Sequence, residues 1–271
     1  MSPRGTGARS SGGRLQAGRT GLEAQATSGR LEGPARKPPT KRQLEAIYEA
    51  LLDHHGHQQW WPTASEDPEE QRFEICLGAI LTQNTSWRGA AAALANLRAE
   101  GLTDAASILD TPLDVLGELV RPSGHFNVKA RKLHAFCEAV MFDGGGSVDA
   151  LLEGDAGEVR SRLLEIWGIG PETADAMTLY AARKPTFVVD AYAYRIFERL
   201  GCPPGPRRYD VYREFLLSRL VAMRGPDVSF LNEWHALLVR HGQQICTKSR
   251  PRCEACPLLR RCDFGRSELR G

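Results

Sequence analysis

Four cysteines crowded into one short basic segment constrain this chain more than any other feature. Cys246, Cys253, Cys256 and Cys262 follow the spacing C-x6-C-x2-C-x5-C. The intervening residues, 247–252 and 257–261, are mostly polar and basic and cannot bury a core of their own. The thiolates are therefore expected to ligate something. Thiolates select Zn²⁺ or an iron–sulfur cluster. Disulfides are the remaining reading, but nothing in the chain points to an oxidising compartment. Zinc is favoured by two C-x2-C knuckles. Only the middle pair has that spacing here, so the pattern favours a [4Fe–4S] cluster. Cys76, Cys137 and Cys202 stand singly in apolar or turn surroundings and read as reduced, structural residues.

A chain of 271 residues is long enough for one or two domains with a sizeable core. It has no apolar run long enough to cross a membrane. Its Arg-rich beginning lacks the apolar stretch of a secretory signal, which leaves the cytoplasm as the expected compartment. The formal net charge of +2 conceals an asymmetry. Residues 1–42 hold nine Arg or Lys and two acids, a net +7, so the remainder is net −5. The folded part therefore lacks a uniformly basic face. Any nucleic-acid contact there must be a local patch, and the basic cysteine loop is the best candidate.

Residues 1–39, rich in Gly, Ser, Arg and Pro, read as a disordered tail that adds sequence-independent phosphate affinity or is a dispensable extension. From Lys41 the pattern is helical. Leu44, Ile47, Tyr48, Leu51 and Leu52 form one apolar stripe, and Phe73, Cys76, Leu77, Ile80 and Leu81 another. A third, Ala-rich helix is expected from Trp87 to Leu97. Others are expected near 103–110, 112–120, 126–142, 147–153, 156–167, 172–182, 190–200, 208–223 and 229–242, with Gly, Pro or Asp at most joints. Alternating period-2 runs are nearly absent, so the fold class is all-α.

Two motifs bear on chemistry. Residues 164–174, LEIWGIGPETA, read as helix, glycine hairpin, helix. Gly168 and Gly170 permit a tight turn with exposed amides. Pro171 suits the first position of the second helix. Amides at a helix N-terminus hold phosphate without side-chain charge, which suits an acidic body. Downstream, the apolar run Thr186-Phe187-Val188-Val189 ends in Asp190. Asp190 reads either as the cap of the helix from Ala191 or as a catalytic carboxylate.

Hairpin, Val-Asp and C-x6-C-x2-C-x5-C, in that order, make the chain resemble the endonuclease III branch of the HhH-GPD superfamily of DNA glycosylases over roughly residues 40–265. The resemblance implies two helical domains flanking a DNA cleft. Residues 64–185 would form a six-helix domain with the hairpin, and 40–63 with 186–265 the iron–sulfur domain. It implies a monomer acting on damaged double-stranded DNA at the nucleoid, with Asp190 catalytic and the four cysteines as cluster ligands. Gln83, in the segment LTQNT, matches the residue that fills the gap left by a flipped base. His125 matches the wedge beside it. Lys248, Arg250 and Arg252 would be presented to phosphates by the cluster loop.

One departure decides the expected chemistry. Strand-cleaving members carry a lysine two residues after the second hairpin glycine, and this chain has Glu172 there. A carboxylate forms no Schiff base. An acid in a first helical turn also simply suits the helix dipole. Trp60-Trp61-Pro62 and Trp87 are similar to the base-stacking residues of the 3-methyladenine DNA glycosylase III subgroup, with core packing as the alternative for the three tryptophans. Aromatic faces suit a planar, cationic purine. The expected activity is a monofunctional glycosylase on alkylated purines. The alternatives are an endonuclease III-type glycosylase and lyase on oxidised pyrimidines, and a non-catalytic protein that grips damaged DNA.

Overall fold

The computed structural model describes residues 37–270. The tail expected over 1–39 lies, up to residue 36, outside the described residues. Among those described there are thirteen α-helices and no strand, so the all-α expectation holds. α1 (Lys41–His55) opens on a reciprocal capping box between Thr40 and Gln43 and buries Leu44, Ile47, Tyr48 and Leu51. α2 (Pro68–Leu81) starts with Asp67 as cap and Pro68 in its first turn. Every residue from Ile75 to Leu81 is buried, so α2 is a central helix, apolar all round.

α3 (Trp87–Ala99), α4 (Ala105–Asp110), α5 (Leu113–Leu119), α6 (Phe126–Phe142) and α7 (Val148–Leu151) follow. α2 packs on α3, α6 and α7, and α6 covers α4 and α5. α8 (Ala156–Glu165) and α9 (Pro171–Ala176) flank the hairpin. Expected as one helix over 172–182, the next stretch instead breaks into α9 and a π turn, Met177–Ala181. There the Thr178 hydroxyl bonds back to the Ala174 carbonyl, a local competitor to regular helical pairing. The π turn packs against both α2 and α12 (Val228–Gln244). α10 (Ala191–Leu200) packs on α12 and on α13 (Asp263–Glu268), while α1 lies on α12 and α11 (Tyr209–Arg224). α13 escapes the apolar-period reading because it is six residues long and is capped by the Cys262 sulfur.

A buried carboxylate ties several of these elements together. Asp175 on α9 is wholly buried. It accepts hydrogen bonds from Arg160 of α8 (3.1 Å), Arg213 of α11 (2.8 Å), Tyr209 (2.9 Å) and Thr186 (2.5 Å). A carboxylate so fully paired resists the penalty of its own burial. It locks the second hairpin helix to the extended segment that leads into α10. Cys76, Cys137 and Cys202 are buried free thiols, as expected.

Candidate functional site

Phe187, Val188 and Val189 are buried at 0–2% exposure and thread through the core without regular secondary structure. They deliver Asp190 to the N-terminus of α10. Asp190 is a cap: its Oδ1 accepts the Ala193 N–H at 2.8 Å. Its other oxygen, Oδ2, stands 3.5 Å from Nε2 of His235 on α12. The capping and site readings of this residue are therefore compatible, one oxygen serving each.

His235 was not singled out by the sequence. It is buried, and its Nδ1 lies 2.5 Å from the Tyr180 hydroxyl on the π turn. Burial, with Asp190 and Glu233 adding, pushes the Tyr180 hydroxyl above its ordinary range, so it stays protonated. Nε2 has no hydrogen-bond partner within normal distance among the described residues. The available signal was a titratable residue in an apolar period: Leu231, Trp234, His235 and Leu238 all lie on the buried face of α12.

Trp60, Trp61 and Trp87 come together. Their ring centroids are 4.9 to 5.2 Å apart, edge-on or tilted, and all three are half-buried against the core. Trp61 also meets Tyr180 edge-to-face at 5.4 Å. An unbroken line of rings thus runs from Trp60 and Trp87 through Trp61, Tyr180 and His235 to the Asp190 carboxyl.

Glu172 lies in the first turn of α9. It is exposed as a residue, yet packing around the carboxyl itself strips enough water to raise its pKa to about 7. Asp190 adds to the rise and His235 opposes it.

In the hairpin, Gly168 has φ of +87°, and a Cβ there would meet the Lys132 stem at 2.5 Å. Only glycine fits. Gly170 differs from expectation. Its φ of −96° suits any residue, and its missing side chain faces open space. Its smallness leaves the following amides approachable rather than making the turn possible. Gln83 is fastened to this hairpin, its Nε2 donating to the Gly168 carbonyl (3.1 Å) and Thr173 Oγ1 (3.0 Å), while its Oε1 accepts from Lys132. His125 is exposed, left-handed (φ +47°), and precedes α6 without a side-chain capping bond. The buried Lys129 ammonium spans to the carbonyls of Leu81 (2.7 Å) and Ser123 (2.5 Å). It thereby links the segments that carry Gln83 and His125. Neither lysine was foreseen, because their partners are backbone or distant in sequence.

The four cysteines form a second group. Cys246, Cys253, Cys256 and Cys262 are free thiols lining one pocket walled by Ile245, Leu259 and Phe264. A side chain at Gly265 would enter it, toward the Cys262 and Cys253 sulfurs. Polar atoms face the sulfurs: Arg199 Nη1 donates to Cys246 (3.3 Å), the Gly265 amide donates to Cys262 (3.3 Å), and His241 Nε2 lies 3.5 Å from Cys256. Among the described residues no three Cys, His, Asp or Glu side chains are arranged around a single-ion position. Lys248, Arg250 and Arg252 project from this loop, exposed. α12 connects the two groups, with His235 at one and His241 at the other.

Comparison with known proteins agrees with this geometry. Residues 77–219 match the model of the HhH-GPD superfamily of base excision DNA repair proteins. A candidate DNA repair glycosylase of Methanocaldococcus jannaschii is 40% identical over 80% of this chain and 94% of its own length. An endonuclease III of Sulfolobus acidocaldarius is 28% identical, over 71% of this chain and 82% of that protein. A solved endonuclease III–DNA covalent intermediate shares the fold, with TM-score 0.70 at 20% identity over 85% of this chain and 99% of that one. The H. pylori 3-methyladenine DNA glycosylase bound to 1,N6-ethenoadenine gives TM-score 0.59 at 28% identity, over 75% and 95% of the two chains.

Proposed function

The chain belongs to the HhH-GPD superfamily of base excision DNA repair proteins, and from that premise we propose that it is a monofunctional DNA glycosylase for alkylated purines such as 3-methyladenine. The observation that carries this reading is the line of rings from Trp60, Trp61 and Trp87 to Asp190. A purine taken out of the duplex stacks on aromatic faces, and a cationic one gains further from them. Its C1′ then lies toward Asp190. Likeness to the H. pylori enzyme supports the same substrate class.

Bond cleavage passes through an oxocarbenium-like state. Asp190 stabilises that cation and orients water onto C1′. Its position is fixed by the Ala193 amide, with His235 beside its other oxygen. Glu172 stands where strand-cleaving members have a lysine, and it forms no imine. Gln83 fills the gap in the stack and His125 wedges beside it, their spacing set by Lys129 and Lys132. The amides after Gly168 and Gly170 hold backbone phosphate. The two helical groups, 64–185 and 40–63 with 186–265, flank the duplex.

Cys246, Cys253, Cys256 and Cys262 would hold a [4Fe–4S] cluster, for which a thiol-lined, apolar pocket with N–H donors to the sulfurs is a fitting cradle. The four cysteines would thereby be cross-linked, and the loop would present Lys248, Arg250 and Arg252 to phosphates.

The test is mass spectrometry of free bases released from alkylated and from oxidised DNA, wild type beside Asp190→Asn. Release of 3-methyladenine, reduced at least about 100-fold in the variant, is the expected result. No covalent DNA adduct should be trapped by borohydride. Release of oxidised pyrimidines alone, with trapping, would move the protein to the strand-cleaving endonuclease III type.

A further inference from the structure

The nitrogens that stand against the cysteine sulfurs differ in kind. Arg199 Nη1 donates to Cys246 at 3.3 Å, the Gly265 amide to Cys262 at 3.3 Å, and the Leu258 amide faces Cys256. A guanidinium or an amide nitrogen can only donate. The remaining nitrogen is Nε2 of His241, 3.5 Å from the Cys256 sulfur. An imidazole nitrogen presents either a hydrogen or a lone pair, so something must fix which of the two faces the sulfur. His241 is 1% exposed on α12, and its other nitrogen, Nδ1, lies 3.1 Å from Nε2 of His55 at the end of α1. His55 is tied in place: Gln58 Nε2 donates to its carbonyl at 3.0 Å, and the Gln58 amide donates to Glu233 of α12 at 2.9 Å. Burial keeps both rings neutral, lowering the pKa of His241 to about 3 and that of His55 to about 4. Each ring therefore carries one hydrogen.

We infer that His241 belongs to the metal centre: with its hydrogen placed by His55, it donates an N–H to the Cys256 sulfur and sets the reduction potential of the cluster. The inference rests on the cluster reading above and goes beyond it, because a ring outside the cysteine segment, and α1 behind it, become part of the centre. The direction of each bond follows from the chemistry of the donor set. A cysteine that ligates metal is a thiolate and has no hydrogen to give. The hydrogen between His241 and Cys256 must then sit on Nε2. Nδ1 keeps its lone pair, and His55 Nε2 must donate to it. An N–H aimed at a ligating sulfur places positive charge beside the cluster, which favours the reduced state and raises the potential. The same bond holds the sulfur in its ligating orientation.

The test is voltammetry of the full chain as purified, with iron and acid-labile sulfide assayed on the same samples. His241→Phe keeps a ring and loses the N–H. Its potential should move to more negative values by about 59 mV, a tenfold change in a one-electron equilibrium. Its cluster should also be lost to a chelator about 10–100-fold faster. His241→Gln, which restores an N–H donor, should recover part of the potential. His55→Phe leaves the sulfur contact in place but removes the group that sets its hydrogen, and its potential should fall between those of the wild type and His241→Phe. His54 stacks edge-on against His55 at 4.6 Å without joining the pair, so His54→Phe should keep the wild-type potential. A wild-type potential in His241→Phe would overturn the inference, as would a shift in His54→Phe equal to that in His55→Phe. If His241→Phe binds no cluster, His55→Phe decides: a negative shift supports the inference, and an unchanged potential overturns it. A wild type that carries zinc and no sulfide overturns the inference together with the cluster reading, and leaves the glycosylase reading to the base-release experiment.

Discussion

At the scale of single residues, the site is set by polar atoms whose partners are few and specific. Lys129 shows how. Its ammonium is buried and bonds the carbonyls of Leu81 and Ser123, one at the end of α2, the other just before His125. Lys129→Met leaves both carbonyls short of a donor, and should lower stability by about 1–3 kcal/mol at pH 7 in urea unfolding. The pH dependence has a definite sign. Burial, with Lys132 adding, lowers the Lys129 pKa from its ordinary 10.5 to about 8. Between those values the unfolded chain binds more protons, so this residue makes stability rise with pH from about 8 to 10.5 and contributes no slope below 8. The methionine variant should lack that contribution. A variant whose stability and pH slope match the wild type would show that the ammonium does not bridge the two segments. Asp190 illustrates the same economy of partners, one oxygen held by the Ala193 amide and the other 3.5 Å from His235 Nε2.

At the scale of elements, short irregular pieces carry the function and the long helices position them. The π turn 177–181 brings Tyr180 against α12, and such turns recur at functional sites. The hairpin is held from three sides, by Lys132 under Gly168, by Gln83, and by the Asp175 network behind α9. The cysteine segment is the element most dependent on a ligand. Its only helical pieces are the 3-10 turns Cys253–Ala255 and Leu259–Arg261 and the six-residue α13. With so little apolar burial of its own, the segment would be held in shape by the proposed cluster. Cys253→Ser should purify with iron and acid-labile sulfide much below the roughly four of each per chain that a [4Fe–4S] centre supplies to the wild type. It should also melt several degrees lower. Wild-type protein containing zinc and no sulfide would exclude the cluster.

At the scale of the whole molecule, the net charge of the body opposes DNA binding, so local places must carry it. The body beyond residue 42 is net −5, while the first 42 residues carry +7. Exposed Lys248, Arg250 and Arg252 and the hairpin amides are candidates for such places. Deleting residues 1–36, which hold Arg4, Arg9, Arg14, Arg19, Arg30 and Arg36, should weaken binding to undamaged duplex. It should also reduce the slope of log K against log salt by a few units, at about 0.9 for each phosphate that the tail neutralises. The preference for a lesion over undamaged DNA should not fall, because a tail that touches only phosphates carries no base information. An unchanged salt slope would mean that the tail neutralises no phosphate. Among the described residues no helix is long and apolar enough to cross a membrane.

By itself the sequence determined what is local and periodic. Apolar stripes at helical spacing placed nearly every helix. Fixed intervals located the four cysteines, the glycine hairpin and Asp190, because ligand sets and tight turns demand particular residues at particular separations. Tertiary structure alone decided what depends on distant partners. A histidine and a tyrosine 55 residues apart meet at 2.5 Å beside Asp190. A predicted single helix breaks at Met177 where it must pack on both α2 and α12. Gly170, read from its motif as a turn residue, proves to be extended and open. Glu172, a plain first-turn acid in the sequence, acquires a pKa of about 7 because folding desolvates it beside a second carboxylate. Its titration is a property of that neighbourhood, and no spacing along the chain encodes it.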